Sequence, residues 1–132
     1  AALTCGAGPA RAPRRTAAAL ARADAHAVLS VGTCGSLVDL PLGHVVTASI
    51  VTRDGAPCPT PTPWPAAALA NVVTVAAPVW SPDRRAVLAA QGASVCEMEA
   101  AAVQAAAGAL PFSALKVVSD QAGAQIDRCL QE

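Results

Sequence analysis

The sequence predicts an α/β domain in which helices cover a mostly parallel central sheet in three layers, α/β/α. Apolar runs of strand length alternate with alanine-rich stretches of helix length along the 132 residues, which is the pattern of βαβ units. These runs are predominantly apolar and do not alternate strictly between apolar and polar residues, as expected for strands that helices cover on both faces. With two tryptophans, one phenylalanine and no tyrosine, the core must consist of small aliphatic side chains, which let helices lie close to a sheet.

The predicted elements follow this alternation. We predict strands at residues 2–5, 27–32, 44–52, 71–76, 93–97 and 113–119, and helices at residues 13–23, 82–90 and 98–109. Ser81 followed by Pro82 suits a helix start behind an N-cap, and Gly108 followed by Pro111 ends the third helix. Residues 53–65 are dense in proline, which excludes a helix or an interior strand. We expect an exposed loop there, either a lid or subunit contact or a plain surface connection.

Charge and cysteine content limit the function classes. Nine basic and nine acidic side chains balance, so neither nucleic acid nor an anionic membrane surface is expected as a partner. The sequence has no signal-peptide pattern and no run of about 18 apolar residues. Five cysteines without a CxxC pair fit reduced thiols in the cytosol. We expect a cytoplasmic protein that binds a small molecule and uses neither a metal nor a cofactor.

The two ends of the sequence indicate an incomplete domain. Ala1 stands where a methionine is expected, residues 1–6 have the composition of a strand already under way, and residues 127–132 carry no helix stop signal. We therefore expect one domain over residues 1–132, with material missing at both ends.

Two glycine-containing segments are candidates for ligand binding. Gly6 and Gly8 would allow the chain to turn sharply, but Arg11 stands where a dinucleotide fingerprint requires glycine, so a structural turn is expected there. Thr33, Cys34 and Gly35 follow the second predicted strand. They form either a tight loop whose amides and hydroxyl face a ligand oxygen, or a turn that serves only the chain path.

Two acidic segments complete the candidate site. Glu97, Met98 and Glu99 precede a helix that is otherwise nearly all alanine, and Ser119 and Asp120 close the last predicted strand. The helix dipole alone favours acidic residues at a helix start, yet a carboxylate there can also accept two hydrogen bonds from a vicinal diol. Asp120 is either a helix cap or a buried general acid. Since ligand sites of open α/β sheets lie at the carboxyl ends of strands, we expect these segments to converge.

In this order, the segments resemble motifs of the nucleoside phosphorylase and nucleosidase superfamily. The likeness is strongest to bacterial 5′-methylthioadenosine/S-adenosylhomocysteine nucleosidases and to hopanoid-associated phosphorylases. The matching stretches are residues 5–12, 31–37, 42–46, 95–103 and 117–120. The resemblance implies a nucleoside ligand, a homo-oligomeric full-length protein, and phosphate as co-substrate if the protein is a phosphorylase.

The resemblance also implies a role for individual residues. Glu99 would bind the ribose hydroxyls, with Met98 packed against the sugar. Asp120, oriented by Ser119, would protonate N7 of a purine. Thr33 and the amides around it would hold the water or phosphate on the opposite side of the sugar. The full predicted substrate-binding set is Thr33, Cys34, Gly35, Glu97, Met98, Glu99 and Lys116, and the predicted catalytic pair is Ser119 and Asp120.

Departures from the family pattern bear on whether the protein is a nucleosidase, a phosphorylase or a catalytically incomplete fragment. The family's first strand, with its water-activating glutamate or phosphate-binding glycine, would precede Ala1, and the helix after Asp120 is expected to be short or absent. His44 replaces a family aspartate. Ser30 stands where hexameric purine phosphorylases carry a phosphate-clamping arginine, whereas Lys116 stands where nucleosidases have a basic residue beside the water. We therefore predict hydrolysis, with phosphorolysis or a catalytically incomplete, ligand-binding fragment as alternatives.

Overall fold

The computed structural model describes Gly8 and residues 10–121. Within these residues the chain forms an α/β domain of three helices and six strands, which confirms the predicted class. The elements are α1 (Arg11–Leu20), β1 (Val28–Ser36), β2 (Val45–Arg53), β3 (Ala56–Pro57), β4 (Ala68–Thr74), α2 (Pro82–Ala90), β5 (Val95–Glu97), α3 (Ala100–Ala107) and β6 (Phe112–Asp120). The strand predicted at residues 2–5 lies outside the described residues. None of the described helices is long and apolar enough to cross a bilayer.

Helix α2 has the predicted bounds, whereas β1 is longer than predicted. The Ser81 hydroxyl accepts a hydrogen bond from the Arg84 backbone N–H at 3.0 Å, as an N-cap should. The predicted loop after the second strand is instead part of β1. This strand continues because it changes partner: it pairs with β6 up to Cys34, and then Gly35 and Ser36 pair with β5.

The sheet is mixed and partly closed, which corrects the prediction of a mostly parallel sheet. Its strand order is β3-β2-β4-β5-β1-β6, and β2 also pairs with β6. The pairs β1–β6, β2–β4 and β4–β5 are parallel, whereas β1–β5, β2–β3 and β2–β6 are antiparallel. Parallel strands need a long crossover, usually a helix. Residues 37–44, which join β1 to β2, contain no helix, and these two strands run in opposite directions.

Helices cover both faces of the sheet around β4 and β5. Val72 and Val95 belong to an apolar cluster that includes Ala12 of α1 and residues of α3. Their chain neighbours Val73 and Cys96 belong to a second cluster, which includes Leu88 of α2. Because successive strand side chains point to opposite faces, the two clusters lie on opposite sides of the sheet.

This layering does not extend across the whole sheet. Leu29, Val31 and Val117, which lie on β1 and β6, are 38%, 66% and 37% exposed. The β1–β6 register places Leu29 opposite Ser113 and Val31 opposite Leu115, so one face of this strand pair has no helix over it among the described residues. The predicted three-layer arrangement therefore holds only in part.

The proline-rich residues 53–65 are fastened to the sheet. Ala56–Pro57 forms a short strand at the sheet edge, where proline is tolerated. Farther along, the backbone N–H of Thr62 donates to a carbonyl of β6 at 2.7 Å, and that of Trp64 donates to Thr47 Oγ1 at 2.7 Å. These bonds favour a surface connection over a mobile lid.

Candidate active site

One cavity brings most of the predicted motifs together. It has a volume of about 390 Å³ and is lined by Thr33, Cys34, Gly35, Val75, Pro78, Val79, Arg85, Cys96, Glu97, Met98, Glu99, Ser119 and Asp120. Eight of the nine residues predicted for the site are in this lining, and Lys116 is the exception. A cavity of this volume suits a small-molecule ligand.

The motifs converge because β1 changes partner beside the cavity. Strand β6 runs parallel to β1 and places Asp120 opposite Gly35. Strand β5 runs antiparallel to β1, places Cys96 opposite Gly35, and ends one residue later at Glu97. Both strand ends therefore reach the same part of β1, although β5 and β6 run in opposite directions. The convergence does not come from a shared carboxyl edge of a parallel sheet, which was its predicted cause.

Gly35 is the point of closest approach in the cavity wall. A Cβ atom at this position would lie 2.8 Å from Asp120 Oδ2, 3.2 Å from Arg85 Nη2 and 3.3 Å from Cys96 Sγ. Any side chain here would collide with the carboxylate. Gly35 therefore permits close packing inside a strand, where the sequence had suggested a ligand-facing loop or a plain turn.

Glu97 has partners that stabilise the start of α3. Its carboxylate accepts hydrogen bonds from the Thr74 hydroxyl at 2.7 Å and from the Glu99 backbone N–H at 2.6 Å. It also accepts one from the Ala100 backbone N–H at 2.9 Å. Glu99, at the N-cap position, makes no side-chain capping bond. Glu97 thus supplies the acceptors that the first N–H groups of α3 need.

Lys116 lies in the core and not on the cavity wall. The residue is 1% exposed, and its ammonium group donates to Ser30 Oγ at 3.2 Å and lies 3.8 Å from Glu97 Oε2. A Cβ atom at Gly32 would lie 3.5 Å from Lys116 Nζ, so the strand passes close over the ammonium group. The expected contact of Lys116 with a substrate stays a prediction.

Glu99 joins α3 to the early glycine turn. Its Oε1 accepts the backbone N–H of Gly8 at 2.8 Å. Met98 Cε lies 4.0 Å from the place where a Cβ of Gly8 would be. Gly8, which was predicted to serve only a structural turn, therefore contacts the carboxylate that the resemblance assigns to ribose binding.

Asp120 is held by side chains on both of its oxygens. Arg85 Nη2, from α2, forms an ion pair with Oδ2, and the Ser119 hydroxyl lies 3.2 Å from Oδ1. The Arg85 side chain is 5% exposed and the Asp120 side chain 23%. The carboxylate is therefore fixed in direction while it still faces the cavity.

Arg85 and the segment with Val75 and Val79 also line the cavity and were not predicted from the sequence. Arg85 stands in a polar helix start, Pro82-Asp83-Arg84-Arg85, which resembles many solvent-exposed helix starts. The available signal is its spacing to Leu88, because residues three apart share a helix face. Both residues are buried.

The two thiols in the cavity wall are unsuited to nucleophilic attack at neutral pH. Burial, with a smaller effect of the nearby Cys96, raises the pKa of Cys34 to about 12. Burial also raises the pKa of Cys96 to about 11, against the lowering effect of Arg85. The thiolate is the nucleophilic form, and both groups stay protonated. No set of three or more metal-ligating side chains suited to an ion occurs in the part of the chain that the structure describes.

Comparisons with known proteins identify the family of the chain. Residues 1–72, more than half of the chain, match the sequence profile of the phosphorylase superfamily. No curated protein sequence matches significantly.

Many solved structures share the fold. The 5′-methylthioadenosine/S-adenosylhomocysteine nucleosidase of Campylobacter jejuni is similar with a TM-score of 0.78 and 16% identity, covering 93% of this chain and 68% of that one. A putative methylthioadenosine nucleosidase of Weissella paramesenteroides has a TM-score of 0.76 and 21% identity, covering 93% and 70%. The futalosine hydrolase of Helicobacter pylori has a TM-score of 0.73 and 19% identity, covering 88% and 66%. The chain thus spans about two thirds of the length of these structures.

Proposed function

The chain belongs to the phosphorylase superfamily, and from this premise we propose that it cleaves the N-glycosidic bond of a purine nucleoside with water, as a nucleosidase. The observation that carries the proposal is the placement of Glu99 and Asp120 on the wall of one cavity of about 390 Å³. Two carboxylates, one for the sugar and one for the base, are the groups that this reaction needs. Nucleosidases among the similar structures support the same reaction class.

In the proposed reaction the bond between C1′ of the sugar and N9 of the purine breaks, and its electron pair passes to the base. Asp120 donates a proton to N7, which makes the base a better leaving group. Positive charge develops on the sugar, where the carboxylate of Glu99 binds the hydroxyls and stabilises it. A water near Thr33 bonds to C1′ and releases a proton to solvent, and Asp120 regains a proton from solvent. The net reaction therefore consumes one water and yields free purine and free sugar.

The charge of the cavity wall favours water over phosphate. Glu97, Glu99 and Asp120 contribute three carboxylates to the described lining. Arg85 is the cation of this described lining, and it is already paired with Asp120. Glu97 and Asp120 are matched by Lys116 and Arg85, so Glu99 is the lining carboxylate without a cationic partner among the described residues. Its charge would repel a phosphate dianion beside it and stabilise a cationic sugar. In the position of the phosphorylase arginine, Ser30 instead accepts a hydrogen bond from Lys116.

For the remaining site residues we propose roles in positioning the substrate and the water. Met98 lines the cavity beside Glu99 and would pack against the sugar ring. The backbone of Cys34 and Gly35 would face the water and the sugar, with Glu97 holding the start of α3 in place behind them. Lys116 would act on the water site through the electrostatic field, because its ammonium group is buried behind Gly32.

The proposal is tested by incubating the full-length protein with 5′-methylthioadenosine, inosine and futalosine, each with and without phosphate. We expect release of the free base at a rate that phosphate does not change, with free sugar as the second product. Formation of a sugar 1-phosphate only when phosphate is present would assign the protein to the phosphorylases. Ligand binding without base release would make it a binding protein.

We further propose that the full-length protein acts in the cytoplasm as a homo-oligomer. Free thiols at Cys34, Cys58 and Cys96 suit a reducing compartment. Exposed apolar side chains on one face of β1 and β6, such as Val31 at 66% exposure, suit a surface that another chain segment or subunit covers. Light scattering of the purified protein measures its mass; a monomer at micromolar concentration would contradict the oligomer.

A further inference from the structure

We propose that Arg85 is the positioning residue of the general acid: it fixes the Asp120 carboxyl group and stabilises the charge that appears there when the proton passes to the base. This inference rests on the proposed function. It concerns a residue of α2 that lies 35 positions from Asp120 in sequence.

The hydrogen bonds of Arg85 hold its guanidinium group in one position and orientation. Nε donates to the Val79 carbonyl at 3.2 Å, and Nη1 donates to the Ser36 carbonyl at 3.0 Å and the Gln121 carbonyl at 3.4 Å. Nη2 pairs with Asp120 Oδ2. These acceptors come from the segment before α2, from the end of β1 and from the last residues of β6 and the one after it. The group therefore cannot shift without breaking bonds in three parts of the fold.

The surroundings leave Asp120 little freedom on its other sides. Gly35 lies beneath the pair, so close that a Cβ atom would be 2.8 Å from Asp120 Oδ2 and 3.2 Å from Arg85 Nη2. The Ser119 hydroxyl lies 3.2 Å from Oδ1. With Oδ2 facing the guanidinium group, Oδ1 is the oxygen that remains for the base. Arg85 therefore decides which oxygen faces the ligand and in which direction.

The same pair has a reason to strengthen during the reaction. In the reacting complex that the proposal requires, Asp120 begins with a proton. When it gives this proton to N7, it becomes the carboxylate that pairs with Arg85 in the structure, and its attraction to the guanidinium charge increases. An interaction that is stronger in the transition state than in the ground state accelerates turnover without tightening substrate binding. Arg85 should therefore affect kcat much more than KM.

The test is a double-mutant cycle on the full-length protein with Arg85→Lys and Asp120→Asn. Arg85→Lys keeps the charge but loses the planar fork, and we expect kcat to fall by up to about 100-fold, the effect of misplacing a reacting group, with KM nearly unchanged. In the Asp120→Asn background the same change should have little further effect, because Arg85 acts through the carboxyl group. Guanidinium ion at sub-denaturing concentration should partly restore the kcat of Arg85→Ala.

Arg84→Lys is the matched control, because Arg84 is the exposed neighbour of Arg85 on the same helix, and its kcat should equal that of the wild type. An equal loss of kcat from Arg85→Lys in both backgrounds would show a merely structural role and would overturn the proposal, as would an unchanged kcat. If the wild-type protein releases no base, the proposed function itself fails, which is a different outcome.

Because Arg85 also bonds backbone carbonyls, its variants could unfold. Gly35→Ala tests the same geometry with Arg85 intact, since the added methyl group would displace Asp120 Oδ2. We expect a similar loss of kcat with KM retained. A Gly35→Ala protein with wild-type kcat would overturn the proposal.

Discussion

Two ion pairs serve this molecule in different ways. Glu97 and Lys116 are 1% and 2% exposed at their side chains, with 3.8 Å between Oε2 and Nζ. Arg85 and Asp120 are 5% and 23% exposed, and Asp120 faces the cavity. The first pair is almost fully buried, although Glu97 is part of the cavity lining, whereas the second has one partner that is partly exposed.

The comparison indicates that two carboxylates that each pair with a buried cation can have different roles, one in stability and the other in catalysis. The Glu97 carboxylate accepts hydrogen bonds from the Thr74 hydroxyl and from backbone N–H groups at the start of α3. Substitution of Glu97 should therefore lower mainly the free energy of unfolding. Asp120 is fixed by Arg85 but keeps contact with the cavity, so its loss should appear mainly in turnover. Single substitutions that separate the free energy of unfolding from kcat test this division.

The largest expected effect is that of Asp120→Asn. The amide keeps the shape and the hydrogen-bonding capacity of the side chain but cannot donate an acidic proton, so kcat should fall by roughly 10²–10⁴-fold while ligand binding persists. Base release and equilibrium binding are measured on the full-length protein. Asp83→Asn, an exposed change in the first turn of α2, is the control. Normal turnover in Asp120→Asn would reduce Asp120 to a structural residue.

The next largest effect is expected from Lys116→Met. It leaves the Glu97 carboxylate buried without its cation, which in other proteins costs about 3–5 kcal/mol of stability. Urea unfolding measures this cost, and Arg22→Met, at an exposed position after α1, serves as the control. The double variant Glu97→Gln/Lys116→Met should recover part of the loss. Unchanged stability together with lost turnover would instead place Lys116 at the water site.

The sequence predicted the elements better than their arrangement. Helix α2 was predicted to the residue because Ser81 and Pro82 are local signals. The extension of β1 to Ser36 and the antiparallel pairing with β5 depend on a change of strand partner, which no local pattern encodes. Eight of the nine predicted site residues line the cavity, because their motifs lie at strand ends. Arg85 was missed because its role comes from tertiary contacts alone.

A smaller and different effect is expected from Glu99→Gln. This carboxylate accepts the Gly8 N–H at 2.8 Å and is proposed to bind ribose hydroxyls. Hydrogen bonds to a charged group are worth about 1.5–3 kcal/mol, so affinity and rate should both fall, by about 10–150-fold in kcat/KM. Steady-state kinetics separate this from Asp120→Asn, which should lower kcat alone. A raised KM with unchanged kcat would limit Glu99 to ground-state binding.

The smallest effect concerns Cys34, whose thiol is influenced by both ion pairs. Burial is the main cause of its pKa of about 12, Asp120 and Glu97 raise that pKa further, and Lys116 lowers it. Because the ordinary value is 9.0, the folded protein binds this proton more tightly than the unfolded chain between pH 9 and about 12. Stability from this group is fully present below pH 9 and is lost as pH rises through that window.

We therefore expect the free energy of unfolding to fall above pH 9, with Cys34 contributing up to about 1.4 kcal/mol per pH unit. Cys34→Ala should reduce this slope, whatever it does to the stability at pH 7. Cys58→Ala is the comparison, because Cys58 is only half-buried and the same cause, burial, raises its pKa, so its removal should change the slope less. Urea midpoints at pH 7.5, 9 and 10.5 provide the measurement. A slope that Cys34→Ala leaves unchanged would mean that the thiol gains solvent when the pH rises, and that the region between the two ion pairs opens more easily than its burial implies.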